Sequence, residues 1–136
     1  MLLTQEKSLC SLNQKIIVSK DSGSKVCHRA LNSDGVFCVR HYRLDGDVVQ
    51  QKRCCDFLLI NDTTQRAYFI ELKGGNTEEA LEQLDAGYHL VCNELQGYTA
   101  YFRLVCSRAR THSIHSLQFR RFKQKYSNRF VYKESI

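Results

Sequence analysis

Two neighbouring apolar segments in the middle of the chain carry the clearest pattern. Residues 57–60 (FLLI) and 67–72 (AYFIEL) are rich in β-forming residues, and the polar run at 61–66 (NDTTQR) has turn-forming composition. Apolar side chains fall on both faces of each segment, whereas a strand with one face in water alternates apolar and polar residues. The pattern predicts a β-hairpin in the centre of a sheet covered on both sides.

A long amphipathic helix is predicted after this hairpin, over residues 77–95. Gly74 and Gly75 would end the second strand, Asn76 has N-cap chemistry with Glu79 three positions on, and Gly97 suits the position after the helix. Apolar residues recur at spacings of three and four, which is the signature of one helix face: Leu81, Leu84, Tyr88, Val91 and Leu95.

The remaining segments complete an α/β pattern. We expect strands at 15–19, 36–44, 48–54, 98–106 and 130–133, with an Asp45-Gly46 hairpin turn between the second and third of these. Helices or helical turns are expected at 4–12, 25–31 and 116–126, a turn at 21–24 and a loop at 107–113. This order predicts one domain, residues 1–136, with a central mixed β-sheet flanked by helices on both faces. Its core would span about 36–106 and a basic extension 107–136.

Charged side chains are unusual in such an apolar hairpin. If the chain turns between Thr63 and Thr64, Asp56 lies opposite Glu71, with their Cβ atoms roughly 4.5–5.5 Å apart. Lys73 falls on the same face, about 6.6 Å further along. Two carboxylates this close repel each other unless a cation lies between them. The sequence therefore predicts a divalent-metal site at one end of the sheet, and a hydrolytic enzyme that acts on phosphodiesters.

Charge is unevenly spread along the chain, which has a net charge of +6. Residues 101–136 carry nine Lys and Arg against one Asp or Glu, whereas residues 1–100 are slightly acidic. A basic block of this kind attracts polyanions, above all nucleic acid, although a merely solvated surface is the alternative. The candidate phosphate contacts are Arg40, Arg43, Lys52 and Arg53 around the predicted hairpin turn, and Arg120, Arg121, Lys123 and Lys125 on the last helix.

Cysteine usage and hydropathy bear on the compartment. The seven cysteines are an odd number without a C-x-x-C spacing, so we expect reduced thiols rather than a disulfide framework. The first ten residues lack the pattern of a signal peptide, and no window has the length and hydropathy of a membrane span. We expect a cytoplasmic protein with no membrane partner.

An aspartate at the start of one hairpin strand, Glu-x-Lys at the end of the next, then a helix and a strand, resembles the PD-(D/E)XK nuclease superfamily. The resemblance covers about residues 36–106 and implies a restriction-endonuclease-like or Holliday-junction-resolvase-like fold. It implies that Asp56 and Glu71, with the backbone carbonyl of Leu72, bind Mg²⁺ or Mn²⁺. Lys73 would orient or help deprotonate the attacking water and neutralise charge on the phosphate.

Other positions match the superfamily less closely. Cys55 replaces the proline before the motif aspartate, and Tyr88 is one residue too far from Gln83 for the Gln-x-x-x-Tyr motif of RecB-type members. Gln83 is either a further site residue or an ordinary surface residue of the helix. Glu6 is either the glutamate that many members carry on their first helix, and then a metal ligand, or an exposed residue.

The function expected from this resemblance is a metal-dependent nuclease that hydrolyses phosphodiester bonds, of DNA rather than RNA. The alternative is a catalytically inactive or partner-dependent protein on the same fold, such as an inhibitor or a nuclease subunit that binds nucleic acid. Homodimerisation and a protein partner both stay open.

Overall fold

The computed structural model describes residues 1–21, 26–73, 77–106 and 116–134. Within these ranges the chain forms seven strands and two α-helices. In chain order they are β1 (Ile16–Lys20), β2 (Cys27–Leu31), β3 (Val39–Arg43), β4 (Phe57–Asn61), β5 (Arg66–Lys73), α1 (Thr77–Val91), β6 (Thr99–Cys106), α2 (Leu117–Tyr126) and β7 (Phe130–Glu134).

The central sheet has five strands in the order β3-β4-β5-β6-β7, and β1 pairs with β2 in a separate antiparallel ribbon. β3, β4 and β5 are antiparallel to one another, whereas β5 pairs with β6, and β6 with β7, in parallel. The predicted mixed sheet in an α/β fold is confirmed. β5 lies in its middle: β6 pairs with its whole length, and β4 pairs with residues 66–70.

The register of the β4–β5 hairpin is the predicted one. Ile60 pairs with Ala67, Leu58 with Phe69, and the apolar positions of both strands are buried. A slip by one residue would carry one strand's side chains to the opposite face of the sheet. Because both faces are covered, this register places the charged end of the hairpin as the sequence predicts.

The two faces of the central sheet are covered differently, and the prediction of helices on both faces is wrong. α1 and α2 cover one face of the sheet, which we call the helix face. They pack there against Leu58, Phe69 and Phe102, in one cluster with Leu84 and Tyr126. The β1–β2 ribbon covers the opposite face, which we call the ribbon face. Ile17 of the ribbon packs there against strand residues that include Leu59, Ile70 and Val105. The two-stranded β1–β2 ribbon therefore covers the face of the sheet on which the sequence predicts a second layer of helices.

The helix prediction after β5 is confirmed in its main part. α1 ends at Val91 and a 3₁₀ turn continues it over Cys92–Glu94, close to the predicted end at 95. Gly97 has a φ of 86°, the left-handed region that favours glycine, and it follows the helix as predicted. The predicted break at Gly74-Gly75, the Asn76 cap, most of the turn at 21–24 and the loop at 107–113 lie outside the described residues.

Near the N-terminus, the helix predicted at 4–12 is wrong. The structure has a single 3₁₀ turn there, Gln5–Lys7. Next to it the backbone runs along the open edge of β3, where Leu9 donates to the carbonyl of His41 (2.6 Å) and Val39 donates to that of Leu12 (2.7 Å). The edge of the sheet thus satisfies backbone groups that a helix would otherwise have paired internally.

Two further element predictions are wrong because strand pairing overrides local pattern. Residues 27–31, predicted as a helical turn, form β2 against β1. Residues 48–54, predicted as a strand, form turns and loop, because β3 pairs directly with β4 and the chain between them loops out. Strands predicted at 15–19, 36–44, 98–106 and 130–133, and the helix at 116–126, are confirmed within a few residues at each end.

Close packing of α1 against the segment before β4 depends on a glycine. A Cβ atom built at Gly87 would lie 2.5 Å from the Sγ atom of Cys55, which is fully buried. Cys55 directly precedes Asp56, so this approach also sets the position of the aspartate relative to the helix.

We therefore expect Gly87→Ala to destabilise the fold, by about 1–3 kcal/mol from overpacking. In an ordinary helix interior the same change would stabilise by roughly 0.5–1 kcal/mol. Urea unfolding of Gly87→Ala, Cys55→Ala and the double variant measures the coupling in a double-mutant cycle, and the double variant should recover part of the loss. A Gly87→Ala protein at least as stable as the parent would contradict this packing.

Candidate active site

Asp56 and Glu71 meet at the end of β4 and β5, on the helix face. The backbone amide of Asp56 donates to Oε1 of Glu71 (3.1 Å), and the backbone amide of Leu72 donates to Oδ2 of Asp56 (2.9 Å). Each carboxyl group is thus held by an amide of the neighbouring strand. The predicted juxtaposition of the two acids is present in the structure.

Burial sets the electrostatics of this pair. The Glu71 side chain is almost fully buried, with 1% of its surface exposed, and burial followed by the charge of Asp56 raises its pKa to about 9. Burial also raises the pKa of Asp56, against the opposing effect of the Leu72 amide. Without a cation, the pair is therefore stable at neutral pH with one proton and one negative charge.

Two acids that the sequence does not predict as part of the site lie close enough to act on Asp56. The negative charges of Asp21 and Asp45 both contribute to the raised pKa of Asp56. In the sequence Asp45 has only the chemistry of a turn residue and Asp21 follows β1, so neither carries a signal that points to the site. Together they make the surroundings of Asp56 more negative than the motif alone indicates.

The donor set of the pair fits Mg²⁺ or Mn²⁺. Carboxylate and carbonyl oxygens are the ligands these ions prefer, and Mg²⁺ is commonly held by one or two protein carboxylates while substrate phosphates and waters complete its shell. Asp56 and Glu71 supply two such carboxylates, and the Leu72 carbonyl lies beside them in β5. Within the described ranges, no group of three or more His, Cys, Asp or Glu side chains forms a larger metal-binding cluster.

Lys73 is held next to the pair by the first turns of α1. Its Nζ donates to Oε1 of Gln83 (2.9 Å) and lies 3.4 Å from Oε1 of Glu79. Gln83 is half-buried, and its contact with Lys73 places it at the site rather than on a remote surface. Glu79, predicted only as part of a capping box, is a further residue that the sequence did not assign to this region.

Arg53 joins the same network from the loop before β4. Its guanidinium group lies 2.6 Å from Glu79 and 3.7 Å from Glu82. The arginine predicted to contact phosphate thus ties the loop to α1, and Glu79 lies between Arg53 and Lys73.

Glu6 lies in the exposed 3₁₀ turn Gln5–Lys7 beside β3. The residues that flank it are bonded to that strand, since Tyr42 donates to the carbonyl of Thr4 (3.0 Å) and the amide of His41 donates to Ser8 Oγ (3.1 Å). In the part of the chain that the structure describes, no contact places the Glu6 carboxylate with Asp56 and Glu71.

Two other predicted phosphate contacts are engaged in ion pairs within the chain. Arg40 makes a two-point contact with Asp62, at 2.8 and 2.9 Å. Arg43 pairs with Asp21 at 2.8 Å and lies over the ring of Phe57. Both guanidinium groups already have carboxylate partners, and each would have to exchange them in order to bind phosphate.

The remaining predicted cations are exposed. Lys52 lies in the loop between β3 and β4, and four cations stand on α2: Arg120, Arg121, Lys123 and Lys125. The aromatic residues interleaved with these four face inward instead. Phe119 and Tyr126 are buried in the main core, and Phe122 packs against this core.

The cysteines and the helices also bear on the remaining predictions. All seven cysteines lie in the described ranges and none is in a disulfide; Cys54, Cys55 and Cys106 are buried. Burial raises the pKa of Cys54 to about 12, so this thiol beside the carboxylates stays protonated at neutral pH. No helix in the described part of the chain is long and apolar enough to cross a membrane.

Comparison with known proteins adds no relative. No family model matches this sequence, and neither a curated protein nor a solved structure matches it.

Protonation of Glu71 makes the stability of the metal-free protein depend on pH. The pKa of Glu71 is about 9 in the folded protein, against a usual value of 4.5. Its proton therefore stabilises the folded state fully below about pH 4.5, and this stabilisation is lost as the pH rises toward 9. His28 and His41, whose pKa values burial lowers to about 4, add no slope above about pH 7.

We expect the unfolding free energy in EDTA to fall between about pH 7 and 8, below the range in which thiols of the unfolded chain ionise, by up to roughly 1.4 kcal/mol per pH unit. Glu71→Gln, which keeps a neutral side chain of the same shape, should flatten this decline in urea titrations. An equal decline in both proteins would show that Glu71 is ionised in the folded state.

Proposed function

We propose that this protein is a metal-dependent nuclease of the PD-(D/E)XK type, on a restriction-endonuclease-like fold, and that it hydrolyses phosphodiester bonds of DNA rather than RNA. The observation that carries the proposal is the contact between half-buried Asp56, just before β4, and buried Glu71 of β5, with Lys73 beside them. A sheet apolar on both faces gains nothing from burying two carboxylates unless they hold a cation.

Asp56, Glu71 and the carbonyl of Leu72 would hold the Mg²⁺ or Mn²⁺ ion. When bound, the ion polarises the phosphoryl oxygen and lowers the pKa of a bound water. The protein's own part is to keep both carboxylates at a fixed separation. The amides of Asp56 and Leu72 do so, because each donates to the carboxyl group carried by the other strand.

Lys73 would supply the positive charge at the reacting phosphate. Gln83 and Glu79 hold its ammonium group in place, so little side-chain entropy remains to be lost when the substrate binds. In this role the lysine orients the attacking water and offsets the charge that develops on the phosphoryl oxygens. Gln83 acts as a positioning residue, through Lys73.

Exposed cations support nucleic acid as the substrate. α2, with Arg120, Arg121, Lys123 and Lys125, packs on the same face of the sheet as the acid pair. Phosphates that contact this helix would neutralise a charge that the rest of the chain does not balance. Cysteines without disulfides fit a cytoplasmic location, where thiols are kept reduced.

A second candidate is a nuclease subunit or inhibitor that depends on a partner. Lys73, Arg40, Arg43 and Arg53 are all engaged by carboxylates of the chain itself, which leaves fewer cations for substrate near the acid pair. A partner protein, or a second copy of this chain, would then supply the missing contacts.

The nuclease proposal is tested with supercoiled, linear and branched DNA, and with RNA, in Mg²⁺ or Mn²⁺. We expect Lys73→Met to lower the cleavage rate by about 10²- to 10³-fold, as for other single electrostatic groups. Lys7→Met, which removes the same charge from the exposed N-terminal turn, is the matched control and should cut like the parent. No cleavage of any substrate, or full activity of Lys73→Met, would overturn catalysis by this site.

Metal binding separates the two candidates. Calorimetric titration with Mn²⁺ should show binding to the parent that Asp56→Ala abolishes and that Asp45→Ala weakens at most slightly. Binding without cleavage favours the partner-dependent candidate. Equal heats of Mn²⁺ addition for the parent and Asp56→Ala would rule out this metal site under either candidate function.

A further inference from the structure

The β1–β2 ribbon leaves part of the ribbon face uncovered. Ile70 of β5 and Val105 of β6 pack against the ribbon, and every second residue of each strand shares their side of the sheet. In β7, Lys133 is the strand partner of Val105 and lies on the same side. We call five side chains of this face the cation–aromatic row: Arg66, Tyr68, Tyr101, Arg103 and Lys133.

The cation–aromatic row runs diagonally across three strands. Arg66 begins β5, Arg103 lies in the second half of β6, and Lys133 lies near the end of β7. From Arg66 to Lys133 the row spans about 20 Å along the strands and about 10 Å across them. Arg66 and Lys133 are exposed, and the three residues between them are half-buried. A ligand that contacts the whole row is therefore extended rather than compact.

The cations of the row have no carboxylate partner among the described residues. Arg103 donates to the carbonyls of Phe102 and Arg129, and neither Arg66 nor Lys133 forms an ion pair with a described residue. Three unpaired positive charges in a line favour a linear polyanion. A second copy of this chain would bring the same charges against the row, so charge complementarity opposes self-association through this face.

Tyr68 and Tyr101 give the row a planar surface. Their rings stack with centroids 5.0 Å apart. The Arg103 guanidinium group lies 5.3 Å from the Tyr68 ring and 5.5 Å from the Tyr101 ring, and that of Arg66 lies 5.6 Å from the Tyr101 ring. Aromatic rings and guanidinium planes are the surfaces on which unpaired bases stack.

These rings distinguish among polyanions. A run of acidic side chains and a surface of anionic lipids both offer negative charge, but neither offers a planar group that matches the tyrosines. A double helix keeps the faces of its bases inside its own stack, where the rings cannot reach them. Only a single strand presents phosphates and free base faces together.

We propose that the cation–aromatic row binds single-stranded nucleic acid. The phosphates lie against Arg66, Arg103 and Lys133, and bases stack at Tyr68 and Tyr101 between the first two of these cations. Because every base has a face that can stack, binding at this row is tolerant of sequence.

This surface is separate from the acid pair. The row lies on the ribbon face, whereas Glu71 alternates with Ile70 and points to the helix face. Binding at the row requires neither Asp56 nor a metal ion. It is therefore measured in EDTA, and it stands or falls independently of the proposed nuclease activity.

The test is fluorescence anisotropy of a labelled oligothymidylate of about 12 nucleotides, in EDTA and over a range of salt concentrations. With three phosphate contacts, the logarithm of the affinity should fall with the logarithm of the salt concentration with a slope of about −2. Arg66→Gln and Lys133→Gln should each weaken binding several-fold and make the slope shallower by about 0.7. Tyr101→Leu should weaken binding by about tenfold without changing the slope, because it removes stacking but no charge.

Lys7→Gln, which removes a charge from the exposed N-terminal turn, is the matched control and should bind like the parent. A duplex of the same length and polyglutamate should each bind the parent at least about tenfold more weakly than the single strand does. Because Arg66 and Lys133 are exposed, their variants and the duplex comparison keep the test valid if Tyr101→Leu fails to fold.

Several results would overturn the proposal. They are absence of oligothymidylate binding, a duplex or polyglutamate that binds as tightly as the single strand, and binding that neither Arg66→Gln nor Lys133→Gln weakens. Binding weakened by Arg120→Gln on α2 but not by Arg66→Gln would assign the single strand to the helix face and would overturn it as well.

Discussion

Two carboxyl groups at the end of a sheet that is apolar on both faces cannot both be ionised unless a cation accompanies them, and the rest of the structure is arranged around that constraint. Asp56 and Glu71 are brought together by the pairing of β4 with β5, and each is fixed by an amide of the other strand. Because solvent screens the two negative charges poorly, the pair binds either a proton or a metal ion. The site is thus a consequence of strand register.

Packing against α1 brings Lys73 to the acid pair, so that the site consists of Asp56, Glu71 and Lys73. Gly87 lets the helix approach Cys55 closely, which fixes the residue that follows, Asp56. The beginning of the same helix supplies Gln83, whose amide oxygen holds Lys73. One helix therefore positions both the acid pair and the lysine, and a small displacement of that helix would change their geometry together.

The sequence predicted the parts of the fold that depend on strong local periodicity. The β4–β5 register and the apolar face of α1 follow from residue alternation and from three- and four-residue spacing, and so did the meeting of Asp56 with Glu71. The β1–β2 ribbon and the loop at 44–56 were missed, because residues 25–31 and 48–54 have weak patterns that strand pairing overrides. The ion pairs of Arg40, Arg43 and Arg53 depend on long-range contacts, which no spacing rule contains.

The helix face of the sheet carries negative charge at its end, and under the ribbon Arg103 is a cation without a carboxylate partner among the described residues. The central claim is that the acid pair exchanges its proton for a divalent cation. The most direct measurement follows the carboxyl ¹³C signal of Glu71 by NMR across a pH titration, with and without Mg²⁺. We predict a pKa of about 9 without the ion and a clear decrease with it. A pKa that Mg²⁺ leaves unchanged would contradict the account.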